Sequence, residues 1–569
     1  MKINIHFLIF LSISLVALLN DYIIYTTRIS YIISLVISSL LILLLNIILV
    51  KKRKIKIETN WNNIDIVFYL ILLVFLFYII STPDYSYDVS NYHIYLQTHF
   101  PIDKINFDFF AGKSINGFLF PLGDRMFYIF RYFLGYRMGT ILSYYAAVVI
   151  YYQCKRLLSF FSDKYTIVSI FSLVCTFSSQ IMMQWLGTYY IDIFSVTFIL
   201  TIINTLLSYH YNNDNKKNTI LLLGLLSGLS TAIKVPNMIL IGPIIILGLF
   251  ILKPKKEDIK YIIISIIIFL LCFSLYAYDN YVQTGSILFP YYNNIFKSKY
   301  FNNYSWVDSR FNIPNILYAM IWPIYVGLFH VGYGDDVIIL DPIWAIGYIF
   351  LLIIMLVYIF KKKTKTPLFL FFLLSLLLTI FWIMFLYGYM RYALIIPILY
   401  SIIICIQILR YININKDTSV KKWVVYSLLI VVLPISDNLF FYHKPLNISN
   451  YKLLLKDNKN IKIHIDGVWG TISDSSVLPI LVREEETPIY NLSKDYLNTD
   501  ITKELYYKKI NSSDIYMIID DNTLSDKKRL LNKDGFELGE IIKVYSDKDL
   551  PFLPANKKAY LYKLKKKTS

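Results

Sequence analysis

Long apolar runs alternate with short polar segments along the chain as far as Leu439. The runs are about 17–22 residues long, and an α-helix needs about 20 apolar residues to cross the hydrocarbon core of a bilayer. We identify about thirteen such runs, and the first three are residues 3–25, 29–50 and 64–81. The pattern therefore predicts a polytopic α-helical membrane protein.

The composition supports a membrane protein and disfavours other classes. Of the 569 residues, 57% are hydrophobic and only 17% are charged, a balance that soluble domains do not carry. The formal net charge of +18 lies largely in short loops, and no nucleic-acid motif accompanies it, so nucleic acid is not an expected partner. The four cysteines lie in or at the end of apolar runs without ligand spacing, which predicts neither a zinc site nor a disulfide framework,.

Basic clusters in the short loops set the predicted topology, because Lys and Arg are enriched in cytoplasmic loops. The clusters are residues 51–56, 155–156, 216–217, 253–256, 361–363 and 421–422. One threading places all of them on the cytoplasmic side of the inner membrane. In that threading the N-terminus is cytoplasmic and the C-terminal part is periplasmic or extracellular.

Three predicted external segments are long. They are residues 82–131, residues 279–341 and the C-terminal part after Phe440. The second contains an apolar stretch, residues 316–330, that is too short to span, so we expect an interfacial or re-entrant helix there. The chain is thus predicted to have a transmembrane domain over residues 1–440 and a soluble external domain over residues 441–569.

From Lys459 onward the composition is that of a soluble protein. Short apolar segments typical of strands alternate there with segments typical of helices. The predicted strands are residues 461–465, 515–519, 541–545 and 559–562, and the predicted helices are residues 475–483, 502–509 and 525–532. This alternation predicts a small α/β domain on the outer face.

The segment directly after the third apolar run carries the most distinctive chemistry. Asp84, Asp88 and His93 lie there close to a membrane surface, where ionisable groups are costly unless they bind or react with something. Asp84 and Asp88 could be a base and its partner or a metal pair, and His93 could orient a carboxylate or bind a phosphate. The alternative is that all three are solvated loop residues.

Three further ionisable residues lie at the outer ends of predicted spans. Asp192 begins the sixth span and could line a cavity. Lys234 lies in an outward hairpin, where a lone lysine either suits an anionic ligand or snorkels to the surface. Arg391 begins the twelfth span, and its planar guanidinium suits a phosphate. The sequence places no such residue at a bilayer midplane, which disfavours a transporter coupled to ions or protons.

Three short motifs carry a resemblance to a known family. They are Tyr87-Asp88-Val89-Ser90-Asn91-Tyr92-His93, Thr284-Gly285-Ser286-Ile287-Leu288-Phe289-Pro290-Tyr291-Tyr292-Asn293, and Met390-Arg391-Tyr392 followed by Pro397. Together with the acidic loop after a span and the soluble C-terminal domain, they resemble uncharacterised bacterial members of the GT-C superfamily of membrane glycosyltransferases. The chain departs from that family in Ser286-Ile287 and in two extra spans before the acidic loop.

The resemblance implies an inverting glycosyltransferase at the outer face of the membrane. Its donor would be a polyprenyl-phosphate-linked sugar, and its acceptor a glycan, lipid or protein of the cell envelope. Asp88 would be the catalytic base and Asp84 its partner. The substrate-binding residues would be Tyr92, His93, Asp192, Lys234 and Arg391, with the two cations stabilising the departing phosphate. No cofactor is required, although the acidic segment could bind a divalent metal.

Three alternatives remain open from the sequence. A polysaccharide polymerase or ligase shares the lipid-linked donor but is usually built without a C-terminal α/β domain. A flippase or transporter of lipid-linked sugars should show an internal repeat and polar groups through the membrane, which the sequence lacks. A structural scaffold of the cell envelope would not need the set of Asp, Lys and Arg residues at the outer ends of the spans.

Overall fold

A computed structural model gives the fold of the chain. The structure describes residues 2–51, 56–58, 61–80, 84, 88–109, 116–212, 214–303, 315–328, 341–364, 366–386, 389–414, 461–472, 477–484, 486–494, 497, 499–521, 523–550, 553 and 556–567. Apolar helices form the part up to residue 414, and a five-stranded α/β unit follows. The polytopic membrane protein with a C-terminal α/β domain that the sequence predicts is the architecture observed.

The helices of the membrane part follow the apolar runs. They are α1 (Ile5–Thr27), α2 (Tyr31–Lys51), α3 (Asn63–Ile80), α4 (Ile94–Thr98), α5 (Leu122–Met138), α6 (Ile141–Ser159), α7 (Tyr165–Thr176), α8 (Gln180–Trp185), α9 (Asp192–Asn212), α10 (Lys216–Ile233), α11 (Asn237–Leu252), α12 (Ile259–Thr284), α13 (Asn293–Phe296), α14 (Ile316–Leu328), α15 (Pro342–Phe360), α16 (Pro367–Phe385) and α17 (Ile395–Ile414). A short parallel strand pair, β1 (Lys2–Asn4) and β2 (Lys56–Glu58), joins the start of α1 to the segment before α3.

Length and composition divide these helices into two groups. Among the described residues, seven helices are long and apolar enough to cross a bilayer, or eight if one bent pair counts as a span,. The expectation of about thirteen spans also counted shorter apolar helices such as α7 and α11. Its thirteenth span, residues 423–439, lies outside the described residues. The apolar stretch of residues 316–330, expected to be interfacial or re-entrant, contains α14, which packs against α15 and α16.

The bent pair consists of α5 and α6, whose axes differ by 112°. Gly135 near the end of α5 has a φ of 83° and a ψ of 178°, a backbone conformation that residues with a Cβ rarely adopt. Because of the bend, α6 does not continue the direction of α5. Three charged side chains of α5, Asp124, Arg125 and Arg137, are buried.

The C-terminal part forms one mixed sheet with helices. Its strands are β3 (Val468–Thr471), β4 (Ile489–Asn491), β5 (Ile515–Asp520), β6 (Phe536–Ser546) and β7 (Lys558–Lys566), and its helices are α18 (Val477–Val482), α19 (Asp500–Asn511) and α20 (Leu524–Asp534). The strand order is β4-β3-β5-β7-β6. β3 pairs in parallel with β4 and β5, whereas β7 is antiparallel to β5 and β6. The domain is therefore of the α/β layer type predicted.

Two details of that domain differ from the sequence prediction. Residues 461–465 are not a strand, although the backbone of Ile463 donates to the carbonyl of Val482. The strand instead begins at Val468, where all four residues of β3 are buried. Alternation is a signal of a strand with one exposed face, and it cannot detect a short strand that is covered on both faces. The three-residue strand β4 was missed for the same reason.

The α/β domain packs on the polar segments that precede α5. The Arg483 guanidinium donates to Asp108 Oδ1 at 2.6 Å, and the same oxygen accepts from the backbone of Ile489 at 3.1 Å. Asp108 Oδ2 accepts from the Tyr95 hydroxyl on α4 at 3.1 Å. Ile105 belongs to the same apolar cluster as residues of the sheet. The domain is therefore anchored directly to α4, which immediately follows the segment of Asp88 and His93.

Ion pairs between helix ends show which ends of the helices meet. Lys155 near the end of α6 binds both carboxylate oxygens of Asp65 at the start of α3, each at 2.9 Å. At the start of α10, Lys216 binds Asp258 before α12 at 3.2 Å. The opposite end of α10 carries Lys234. The basic clusters predicted to be cytoplasmic and the residues predicted to be external therefore lie at opposite ends of the same helices.

Candidate active site

The segment after α3 supplies the first side chains of the site. Asp88 precedes a π-helical turn, Val89–His93, which runs directly into α4. Such turns are rare and frequently occur at functional sites. The Asp88 side chain is only 14% exposed, and Tyr92 and His93 are buried. This segment is therefore part of the folded interior and not a solvated loop.

Asp88 forms an ion pair with Arg391, from which it is separated by 303 positions. Arg391 lies in a short 3₁₀ turn, Met390–Ala393, just before α17. Burial alone would raise the pKa of the Asp88 carboxyl, but the Arg391 guanidinium reverses this effect. With help from His93 and Lys234, the pKa of Asp88 lies below that of an ordinary aspartate,. Asp88 is therefore held as a carboxylate.

Lys234 and Asp192 form a second ion pair. Lys234 directly follows the last residue of α10, and Asp192 is the first residue of α9. Burial lowers the pKa of the Lys234 amine to about 8, although Asp192 opposes this shift,. Arg391 also lowers this pKa by charge repulsion. Lys234 is thus a buried cation whose charge depends on pH near neutrality, and it does not snorkel to the surface.

Tyrosine rings connect the two cations. The Lys234 Nζ lies 3.7 Å from the centroid of the Tyr392 ring. The Arg391 Cζ lies 5.3 Å from the same centroid and 5.8 Å from that of Tyr190. A cation over an aromatic face is attracted by the ring quadrupole. Tyr392 therefore holds Lys234 and Arg391 close together, where their repulsion favours binding of an anion.

His93 is held by a carboxylate that the sequence analysis did not single out. Its Nδ1 lies 2.8 Å from Oδ1 of Asp124, and the His93 and Asp124 side chains are 2% and 0% exposed. Asp124 lies in the first turn of α5. The signal that could have revealed it was present, since a lone carboxylate in the apolar stretch Phe118 to Met126 is as costly as the one at Asp84,.

A small cavity of about 40 Å³ adjoins these groups. Its lining includes Tyr92, His93, Asp124, Lys234, Tyr291 and Tyr392. Such a volume accepts a few water-sized groups but not a sugar ring. A substrate therefore presents only a small polar group, such as a hydroxyl or part of a phosphate, to this cavity, and the rest of it lies outside.

The loop after α12 contributes one wall of the cavity. Gly285 ends α12 with a φ of 78°, and Tyr291 a few residues later lines the cavity. The Asn293 side-chain amide donates to the carbonyls of Ser298 and Phe301 at 3.1 and 3.0 Å. The motif from Thr284 to Asn293 is thus a shaped loop whose ends are fixed by a helix cap and by Asn293.

Asp84 has contacts of another kind. Its Oδ2 accepts a hydrogen bond from the backbone N–H of Tyr189 at 2.8 Å, and its carbonyl accepts one from the Tyr136 hydroxyl. These contacts join the start of the acidic segment to α5 and to the residues before α9. Asp84, Asp88 and His93, considered above as a metal site, thus bind a backbone N–H, a guanidinium and a carboxylate respectively.

The structure therefore brings together six of the seven residues selected from the sequence. Asp88 with Arg391, Asp192 with Lys234, and Tyr92 with His93 meet around the cavity and the Tyr392 ring. Preorganised cations next to a buried acceptor group can stabilise developing negative charge, and they do so best where water is excluded. The arrangement suits the binding of an anion and a proton transfer close to it.

Comparisons with known proteins give one similarity. The crystal structure of ArnT from Cupriavidus metallidurans in the apo state matches 87% of this chain and 97% of its own, with 9% sequence identity and a TM-score of 0.48. No family model matches the chain, and no curated protein matches it. The similarity concerns the course of the backbone and not individual side chains.

Proposed function

We propose that the protein is a glycosyltransferase that moves a sugar from a polyprenyl-phosphate donor to a cell-envelope acceptor at the outer face of the cytoplasmic membrane. The observation that carries the proposal is the meeting of Lys234 and Arg391 beside the cavity of His93. Two cations that come from distant parts of the chain are kept adjacent despite their repulsion and their burial. Such an arrangement is costly unless an anion uses it.

A phosphate is the anion that best fits these two cations. Arg391 offers a planar fork of donors for two phosphate oxygens, and Lys234 offers a compact charge. Each is now held by one carboxylate, Asp88 or Asp192. An incoming phosphate competes with these carboxylates for the two cations. The negative charge that grows on the leaving phosphate during transfer strengthens the attraction between the phosphate and the cations. The cations thus favour the transition state over the bound donor.

An apolar cleft supports a lipid as the carrier of that phosphate. The cleft has a volume of about 530 Å³ and runs between α10, α11 and α12. It begins at Met238, the second residue of α11 and four positions after Lys234, and continues along α11 to Leu252. Apolar side chains and glycines form nearly all of its surface. A polyprenyl chain could lie in this cleft with its phosphate at Lys234.

The proposal is tested by following the donor. The purified protein, reconstituted in vesicles with a lipid extract of the cells that produce it, should convert a polyprenyl-phosphate sugar into the free polyprenyl phosphate, measured by mass spectrometry. Arg391→Ala should abolish the conversion. Arg410→Ala is the matched control, because Arg410 is an arginine of the adjoining helix α17 that pairs with the Tyr358 hydroxyl away from the site.

The same measurement separates the alternatives. A flippase would move the lipid-linked sugar across the vesicle without releasing polyprenyl phosphate. A polymerase or ligase would release the lipid but would transfer a glycan of many sugars, which the mass of the product reveals. Conversion that is equal in Arg391→Ala and in the unchanged protein would remove the cation pair from the mechanism.

A further inference from the structure

The pair of His93 and Asp124 has the geometry of an oriented base. With Asp124 ionised, its carboxylate can only accept a hydrogen bond, and His93 Nδ1 then carries the proton that joins them over 2.8 Å,. The other ring nitrogen, Nε2, is then the acceptor of the neutral ring. Asp124 is fixed within α5 and His93 within the turn before α4, so the direction of Nε2 is set by two packed elements.

His93 Nε2 is buried and has no hydrogen-bond partner in the part of the chain that the structure describes. His93 lines the cavity that also touches Lys234 and Tyr392. Buried imidazole nitrogens are normally bonded, because an unpaired buried acceptor costs free energy. A small polar group that enters the cavity is the natural partner of Nε2, and a hydroxyl can donate to it.

Asp88 is less suited to take a proton. Its carboxylate is engaged by the Arg391 guanidinium, and this ion pair lowers the pKa of Asp88. A base of low pKa provides little driving force for proton transfer at neutral pH. Histidine as a residue type titrates close to neutrality and is the commonest general base in enzymes.

We propose that His93 is the catalytic base of the transfer and that Asp124 is its positioning residue, with Asp88 holding Arg391 in place. This assignment rests on the proposed function. Nε2 of His93 takes the proton of the acceptor hydroxyl while the oxygen of that hydroxyl forms a bond to C1 of the sugar. The bond between C1 and the phosphate oxygen breaks, and its electron pair leaves with the polyprenyl phosphate next to Lys234 and Arg391. The proton on the imidazolium is then released to water.

The test compares three variants, each measured for turnover of the lipid-linked sugar in the vesicle assay and for binding of undecaprenyl phosphate. His93→Gln should lower kcat about 10²–10⁴-fold, the contribution of a general base, with undecaprenyl phosphate bound as in the unchanged protein. Asp124→Asn should also lower kcat and keep binding, because the ring loses its orientation. Asp88→Asn should lower kcat less than His93→Gln does and should keep the pH dependence of the unchanged protein, because Asp88 acts only through Arg391. Binding of undecaprenyl phosphate shows that each variant is folded.

The pH dependence distinguishes a base from a structural residue. In the unchanged protein kcat should fall at acidic pH, because protonated Nε2 cannot accept a proton, and His93→Gln should lose this acidic limb. Asp124→Asn should move the limb to lower pH, since the imidazolium loses its counter-charge. The charged and titratable groups that face His93 or its cavity are Asp88, Tyr92, Asp124, Tyr190, Lys234, Tyr291 and Tyr392.

Three results would overturn the assignment. If His93→Gln keeps kcat within threefold, His93 is not the base. If Asp88→Asn alone removes both the rate and the fall of kcat at acidic pH, Asp88 is the base. In both cases the proposed function still stands. If the unchanged protein neither binds undecaprenyl phosphate nor consumes a lipid-linked sugar, the proposed function fails and the assignment fails with it.

Discussion

Two buried charge clusters at the same end of the bundle differ in how completely their polar atoms are paired. In the first, Arg125 Nε donates to Asp21 Oδ1 at 2.7 Å, and the Tyr276 hydroxyl donates to Asp21 Oδ2 at 2.9 Å. Arg125 also donates to the carbonyl of Gln97 at 2.6 Å. This structural cluster joins α1, α4, α5 and α12, and both oxygens of its carboxylate are used.

The second cluster consists of the residues around the cavity. Within the described ranges, Oδ2 of Asp124, Oδ2 of Asp192 and Nε2 of His93 are buried without a hydrogen-bond partner. The two cations both lie close to the Tyr392 ring. Among the described residues, the carboxylate of the structural cluster thus has both oxygens paired, whereas the cluster around the cavity leaves three polar atoms for an outside group. Complete pairing stabilises a fold, and incomplete pairing beside a cavity indicates a binding site.

The largest expected effect is on the structural cluster. Arg125→Met leaves the buried Asp21 without its counter-charge, which should cost about 3–5 kcal/mol. We expect the variant to lose most of its folded population, measured by thermal unfolding in detergent. The double variant Asp21→Leu/Arg125→Met removes both charges and should recover much of this stability. A stable single variant would contradict the role given to this cluster.

The site cluster should respond in activity and not in folding. Arg391→Ala should weaken binding of undecaprenyl phosphate by about 1.5–3 kcal/mol, the value of a hydrogen bond to a charged group, which is roughly 10–150-fold in Kd. Arg391→Lys should recover only part of this, because an amine cannot form the bidentate contact. Arg391→Ala alone leaves the Asp88 carboxylate unpaired, so the double variant Asp88→Asn/Arg391→Ala, which lacks this carboxylate, is the control in thermal unfolding. A stability loss as large as that of Arg125→Met would erase the contrast between the clusters.

Deprotonation of Lys234 should weaken binding of the donor at alkaline pH. Its amine has a pKa of about 8, below that of an ordinary lysine, because burial favours the neutral form,. As the pH rises through this value the amine loses its proton, so KM for the donor should rise up to about tenfold per pH unit. Lys234→Arg keeps its charge in this range and should have a flat profile. The same alkaline rise in both proteins would exclude Lys234 as its cause.

The smallest effect is expected in the apolar cleft. A Cβ built on Gly242 meets no atom within 4 Å, so Gly242→Leu fills the cleft without displacing backbone. We expect KM to increase several-fold for a long polyprenyl donor and to stay unchanged for a short-chain analogue, since hydrophobic burial of the chain scales with its buried area. Equal changes for both donors would place the lipid elsewhere.

The sequence predicted most of the architecture because hydropathy and loop charge are local signals. The apolar runs located the helices, and the basic clusters predicted that the two ends of the helices differ in chemistry. The strand of Val468 was missed because it is buried on both faces. An element was predicted correctly where its burial produces a hydropathy pattern over neighbouring residues, and it was missed where its burial does not.

The site was only partly predictable, because its contacts join distant positions. The sequence analysis expected Asp84 to be the partner of Asp88, yet Asp84 accepts from the backbone of Tyr189 and Asp88 binds Arg391. Asp124 lies 31 positions from His93, and nothing local connects the two. A single sequence shows which ionisable residues are unusual, but tertiary packing decides which of them meet.

The central claim is that Lys234 and Arg391 bind the phosphate of a polyprenyl lipid, and the lipid that the purified protein retains tests this most directly. Native mass spectrometry of the unchanged protein should show a polyprenyl phosphate, with or without its sugar. The variant Lys234→Met/Arg391→Ala should lack it, and Arg410→Ala should keep it. Retention of only ordinary phospholipids by the unchanged protein, or of the same polyprenyl phosphate by the double variant, would contradict the claim.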